Sequence, residues 1–69
     1  MRNDIYLKEI GSKIRAARKA KKMSMDSLGE KIKMNISNIS FIERGKTNPH
    51  LLTLKRIADV LEVEVKDFI

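Results

Sequence analysis

The chain has 69 residues, a formal net charge of +6, a sequence pI near 9.9 and no cysteine. That excludes a disulfide framework and a thiolate metal site, and a lone histidine leaves no ligand set for structural zinc. No apolar run approaches the roughly 20 residues that cross a bilayer, and the first residues are too polar and too mixed in charge for a secretory leader. The expectation is therefore one small domain, residues 1–69, with a modest core, in a reducing cytoplasm.

The charge is unevenly placed. Residues 1–33 hold ten basic and four acidic groups, a net of +6, whereas residues 34–69 hold five of each. A basic half favours a polyanion, either nucleic acid or an anionic membrane surface. The same lysines also keep a small protein soluble, so charge alone does not choose between these readings.

Asn3 and Asp4 are candidate N-caps, because a short side-chain oxygen can accept from a free backbone N–H of the first helical turn. From Ile5 the pattern is helical. Leu7, Ile10, Ile14 and Ala17 recur at three- and four-residue spacing and define one face, while Lys8, Lys13, Arg15, Lys19 and Lys22 take the others. Gly11 reads as a weak point, costing up to about 1 kcal/mol against alanine. The basic run Arg18 to Lys22 suits the negative end of the helix dipole. It is either a solvated face or a set of groups that reach phosphates.

Ser24 caps a second, short helix from Met25 to about Ile32. Lys33-Met34-Asn35 breaks it, and Asn35 caps a third helix from Ile36 to about Arg44. Gly45 supplies a left-handed terminator. At about 100° per residue, Ile39 and Ile42 share one side, with Glu43 at its edge. Ser37, Ser40, Phe41 and Arg44 point away. That outward face carries two hydroxyls, an aromatic ring and a guanidinium, where a solvated helix would show Lys, Glu and Gln. Short polar side chains allow close approach to a flat partner. Lys46 to His50 is a loop punctuated by Asn-Pro. Leu51, Leu54, Ile57, Ala58 and Leu61 mark a fourth amphipathic helix, and Val65 to Ile69 forms a last short turn. The fold class predicted is all-α, with five helices and short connections.

No base–nucleophile pair, Gly-rich phosphate loop or metal set is visible. The sequence predicts no enzyme, no catalytic residue, no metal and no small-molecule cofactor.

The order cap, helix, break, helix, followed by Ile39-Ser40-Phe41-Ile42-Glu43-Arg44-Gly45-Lys46, Asn48-Pro49, and Leu54 with Ile57-Ala58 and Leu61, resembles the Xre/Cro-type helix-turn-helix family. That family includes phage repressors, Cro proteins and the controller proteins of restriction–modification systems. The resemblance runs from about Ile10 to Phe68. It implies a five-helix, lambda-repressor-like fold in which helices two and three form the helix-turn-helix, the second lying in the major groove of duplex DNA and the first crossing the backbone. By position, Ile36, Ser37, Asn38, Ser40 and Phe41 would face base edges. Ser24, Asn38, Arg44, Lys46 and Asn48 match positions that hold the phosphate backbone. Arg18 and Glu43 match a pair that forms a partly buried salt bridge between helices one and three. Their separate placement agrees, since Arg18 sits at the edge of the Ile14 face and Glu43 beside Ile39 and Ile42; the alternative is two unrelated surface charges.

The chain departs from the family pattern at three positions. Met25 stands where Gln often follows the cap of helix two and binds a phosphate. Lys33 takes a turn position that often carries Gly, at a cost of roughly 1–2 kcal/mol if the backbone there is left-handed. His50 stands where Ser or Thr usually caps helix four. On DNA, Ser37 and Ser40 would discriminate weakly, Asn38 could pair with adenine, and Ile36 and Phe41 would touch thymine methyls. Phe41 could instead fold back on neighbouring stems or meet a protein. With few strong base readers, affinity would come largely from phosphates and specificity partly from DNA shape.

Members of the family usually bind palindromic sites as homodimers. The apolar tail Val63, Val65, Phe68 and Ile69, with helix four, is the candidate dimer surface; otherwise these side chains close the monomer core. The expectation is a transcriptional regulator of the repressor type. The alternative is a protein-interaction module or antitoxin-like partner using the Ile36/Phe41 surface. A membrane-surface role for residues 5–22 would compete with the core for the same apolar face, so no membrane partner is expected.

Overall fold

The computed structural model describes residues 2–69, with side chains from Asp4 onward. Four α-helices run in order, α1 Arg2–Ala20, α2 Met25–Ile32, α3 Ile36–Glu43 and α4 Leu51–Leu61, followed by one 3-10 turn at Val65–Asp67. Where a fifth helix was expected there is only this single turn. The Glu64 N–H donates to Asp67 Oδ2 at 3.0 Å, and the Phe68 N–H donates to the Val65 carbonyl at 2.9 Å. These tight bonds swing the Phe68 ring inward, and the chain needs no longer helix to deliver it. No strand occurs among the described residues.

α1 begins before its candidate caps. Asp4 lies inside the first turn and meets the positive end of the helix dipole there; the Asn3 side chain lies outside the described residues. All four helices end on a residue in the left-handed region: Lys22, Lys33, Gly45 and Glu62. At each end the following N–H reaches back to the last turn, as in Met23 to the Arg18 carbonyl at 3.1 Å and Val63 to the Ala58 carbonyl at 3.0 Å. This geometry satisfies carbonyls that the helix leaves free.

The core draws on every element. Ile14 comes from α1, Leu28 and Ile32 from α2, Ile39 and Ile42 from α3, Leu54, Ile57, Ala58 and Leu61 from α4, and Phe68 from the tail. Phe68 is 1% exposed. It closes the monomer core and is not available as dimer surface, which corrects that expectation. Leu51, expected on the apolar face, is 67% exposed, because α4 joins the core only at Leu54; Leu52 beside it is 76% exposed.

Gly11 is a fitting point and not a weak one. A Cβ there would stand 2.3 Å from the Ile42 carbonyl oxygen and 2.5 Å from that of Glu43. The missing side chain lets α1 lie against the backbone at the end of α3. A second tie joins the ends of α1 and α4, where Lys21 pairs with Glu62. The hydrogen bond from Lys21 holds the Glu62 carboxyl below the usual carboxylate range. Arg56 of α4 donates from Nη2 to the Ile32 carbonyl and so covers the end of α2.

Candidate nucleic-acid interface

Local capping fixes the pair α2–α3. Ser24 is extended (φ −80°, ψ 164°) and its Oγ accepts from the Ser27 N–H at 3.0 Å. α2 stops at Lys33, left-handed at φ 58°, ψ 50°, with the Met34 N–H donating to the Gly29 carbonyl at 2.8 Å. Asn35 turns extended again and its Oδ1 accepts from the Asn38 N–H at 2.9 Å. Two residues in the turn, Lys33 and Asn35, thus set where α3 starts and which way it points. At the far end Gly45 (φ 72°) and Lys46 donate back to Ile42 and Phe41 at 3.1 and 2.8 Å.

α3 buries Ile39, Ile42 and Glu43 and turns its other face outward. Ser37 and Asn38 are exposed, Ser40 is half-buried, and Ile36 and Phe41 are 42% and 44% exposed. These five share one uncovered helix face. Arg44 lies across it, with its guanidinium 5.3 Å from the centre of the Phe41 ring and its Nε donating to the Ser40 carbonyl at 3.4 Å. One face of the ring is therefore covered by a cation. Ser24, Lys46 and Asn48 are exposed at the start of α2 and in the α3–α4 loop. A shallow groove between α3 and that loop is lined by Asn38, Phe41, Asn48 and His50. His50 precedes α4 in extended geometry and makes no side-chain cap bond.

Behind this face the structure brings Arg18 and Glu43 together. Arg18 Nε and Nη2 donate to the two carboxylate oxygens at 2.6 and 3.0 Å, and Nη1 donates to the Met23 carbonyl at 2.7 Å. Both residues are buried. The hydrogen bond with Glu43 holds the guanidinium above its ordinary pKa and outweighs the opposing effect of burial. The pair anchors the last turn of α3 to α1 and to the segment that leads into α2.

Of the tail residues, Val63 and Val65 are half-buried against the core and Ile69 is 72% exposed. Two basic residues of α1 lie beside the interface: Arg15, which sequence reasoning leaves among the solvated positions, and Lys19, part of the run expected either to be solvated or to reach phosphates. Arg15 and Lys19 of α1 line a groove with Met25, Ser40, Glu43 and Arg44, the Arg18 pair forming its floor. Their signal was helical spacing: Lys8, Arg15 and Lys19 fall within one narrow stripe of α1, which a count of basic residues hides. Among the described residues no three acidic or histidine side chains group as a metal site, and no helix is long and apolar enough to cross a membrane.

A short α2, a three-residue turn and an α3 with one uncovered polar face define a helix-turn-helix protein. Residues 14–68 match the helix-turn-helix family model of the Xre type, HTH_3, and the chain belongs to that family. It is 38% identical over 56 residues to the immunity repressor protein of Bacillus phage phi105, covering 81% of this chain and 39% of that protein. It is 41% identical over 56 residues to an uncharacterized HTH-type transcriptional regulator, y4dL, of Sinorhizobium fredii, covering 81% of this chain and 29% of that one. The chain thus spans well under half the length of these curated relatives. Among solved structures, the restriction-modification controller protein C.AhdI of Aeromonas hydrophila superposes with a TM-score of 0.87 at 27% identity, over 91% of this chain and 96% of the controller.

Proposed function

We propose that this chain is a sequence-specific transcriptional regulator that binds a palindromic operator in duplex DNA as a homodimer, with α3 in the major groove. The observation that carries the reading is the outward face of α3. Ile36, Ser37, Asn38, Ser40 and Phe41 lie together on a helix whose start is fixed by the Asn35 side-chain cap, just as Ser24 caps the helix before it. Short polar groups and two apolar ones fit base edges and thymine methyls. Ser24, Asn38, Arg44, Lys46 and Asn48 flank that face and would hold phosphates, so the register is set by backbone contacts and the preference by the helix.

One such helix covers too few base pairs to be selective, and two half-sites one helical turn apart answer that need. Val63, Val65 and the exposed Ile69 are the tail residues proposed for self-association, with α4 beside them. Phe68 stays in the core. A DNA partner places the protein in the cytoplasm, with neither catalysis nor cofactor in its action.

The test is selection of sites from a random duplex pool, followed by titration across a salt series. Paired half-sites about one turn apart and a steep fall of affinity with salt are expected. If no recovered site binds better than random duplex, the reading is lost, and the exposed Ile36 and Phe41 pass to a protein partner.

A further inference from the structure

The groove between α1 and α3 holds more positive charge than its role as a packing seam requires. Arg15, Lys19 and Arg44 line it with Met25 and Ser40. Arg15, Lys19 and Arg44 are exposed, and among the described residues none of them makes an ion pair. The one acid in the groove, Glu43, is already committed to Arg18 by two hydrogen bonds. Three cations without an acidic partner therefore line one concavity, Arg44 meeting only the Phe41 ring and the Ser40 carbonyl. Keeping like charges together costs free energy unless a partner supplies the opposite sign. Met25, at the first position of α2, faces the same groove with a thioether that donates no hydrogen bond.

We propose that this groove receives a phosphate of the DNA backbone, held by Arg15 and Lys19 from α1 together with Arg44 from α3. The inference rests on the DNA-binding reading above and extends the contact surface onto α1. Arg15 and Lys19 lie one turn apart on one stripe of α1, so a strand running past the end of α3 meets both. The position of Met25 fits the arrangement: the first residue of α2 brings no side-chain donor into this groove, and the donors come from the neighbouring helix.

The test compares wild type, the double variant Arg15→Ala/Lys19→Ala, and a control, Lys13→Ala/Lys66→Ala, which removes the same charge from exposed positions outside the groove. Each is titrated with a site recovered by selection and with random duplex, across a salt series. Thermal melts check that the exposed substitutions leave folding intact. For the groove variant, binding to both duplexes is expected to fall at least tenfold at low salt. The log–log salt slope is expected to flatten by about 0.9 for each protomer bound, one phosphate in each groove. The control is expected to keep most of its slope, and the ratio of specific to random binding is expected to stay the same in all three. An unchanged slope in the groove variant, an equal loss in the control, or a changed base preference overturns the proposal. Failure of wild type to bind any duplex overturns the DNA-binding reading and this inference with it, and the wild-type arm alone reveals that case.

Discussion

Arg18 donates three hydrogen bonds, two to Glu43 and one to the Met23 carbonyl, and is 7% exposed. Its environment is therefore built around a charge. Removing the carboxylate leaves a guanidinium buried with one acceptor. Breaking such a pair costs about 3–5 kcal/mol, against a total stability of roughly 3–10 kcal/mol for a chain this size. Glu43→Ala is expected to lower the urea midpoint sharply or to prevent folding. Glu43→Gln keeps an acceptor for Arg18 and is expected to lose less. A midpoint for Glu43→Ala within experimental error of wild type would show that the pair carries no stability. The raised pKa of Arg18 sets the sign of its own pH linkage. Stability from its protonation is present throughout the acid and neutral range and is lost only in strong alkali. Sequence spacing placed Arg18 and Glu43 at the edges of two apolar faces. It could not show the third bond to Met23, which depends on how the chain leaves α1.

At the scale of elements, the helix ends account for both what was legible and what was not. Ser24, Asn35 and Gly45 announce the boundaries of α2 and α3 because capping is local chemistry, read over three or four residues. The start of α1 was misplaced because an acidic residue serves equally as a cap or inside the first turn. Periodicity marks the core-facing side of α4 but not where along its length the core begins, so it groups the exposed Leu51 with Leu54 and Ile57. Gly11 looked like a defect because its reason lies in α3, far away in sequence. Lys33 is, with Lys22 and Glu62, one of the side-chain-bearing residues that end a helix in the left-handed region. It holds φ 58° between α2 and α3, a region that costs a side-chain-bearing residue roughly 1–2 kcal/mol and glycine almost nothing. Part of that gain is returned by the greater freedom of an unfolded glycine. Lys33→Gly is accordingly expected to stabilise the fold by up to about 1 kcal/mol, read as a rise in melting temperature. A fall instead would mean that the lysine stem contributes packing that offsets the strain.

For the whole molecule, the tail decides how the monomer closes and what remains for a second copy. The apolar run Val63, Val65, Phe68 and Ile69 reads the same in sequence whether it faces inward or outward, since its spacing carries no information about the surface it meets. The structure divides it: Phe68 is 1% exposed and Ile69 is 72% exposed. The two residues are therefore expected to respond to different measurements. Phe68→Ala empties a core position contacted from the other elements and is expected to cost about 3–5 kcal/mol. That loss should appear in chemical denaturation at every protein concentration. Ile69→Glu leaves the core intact, so the unfolding midpoint of the dilute monomer should hold. On the proposed dimer surface it places a charge against apolar groups, and it should shift sedimentation toward the monomer and weaken binding to paired half-sites more than to a single one. Because binding of two linked half-sites multiplies affinities, the loss on the paired site is the larger signal. If Ile69→Glu leaves sedimentation and paired-site affinity unchanged, self-association does not use the tail. The exposed first turn of α4, at Leu51 and Leu52, is then the surface to substitute next.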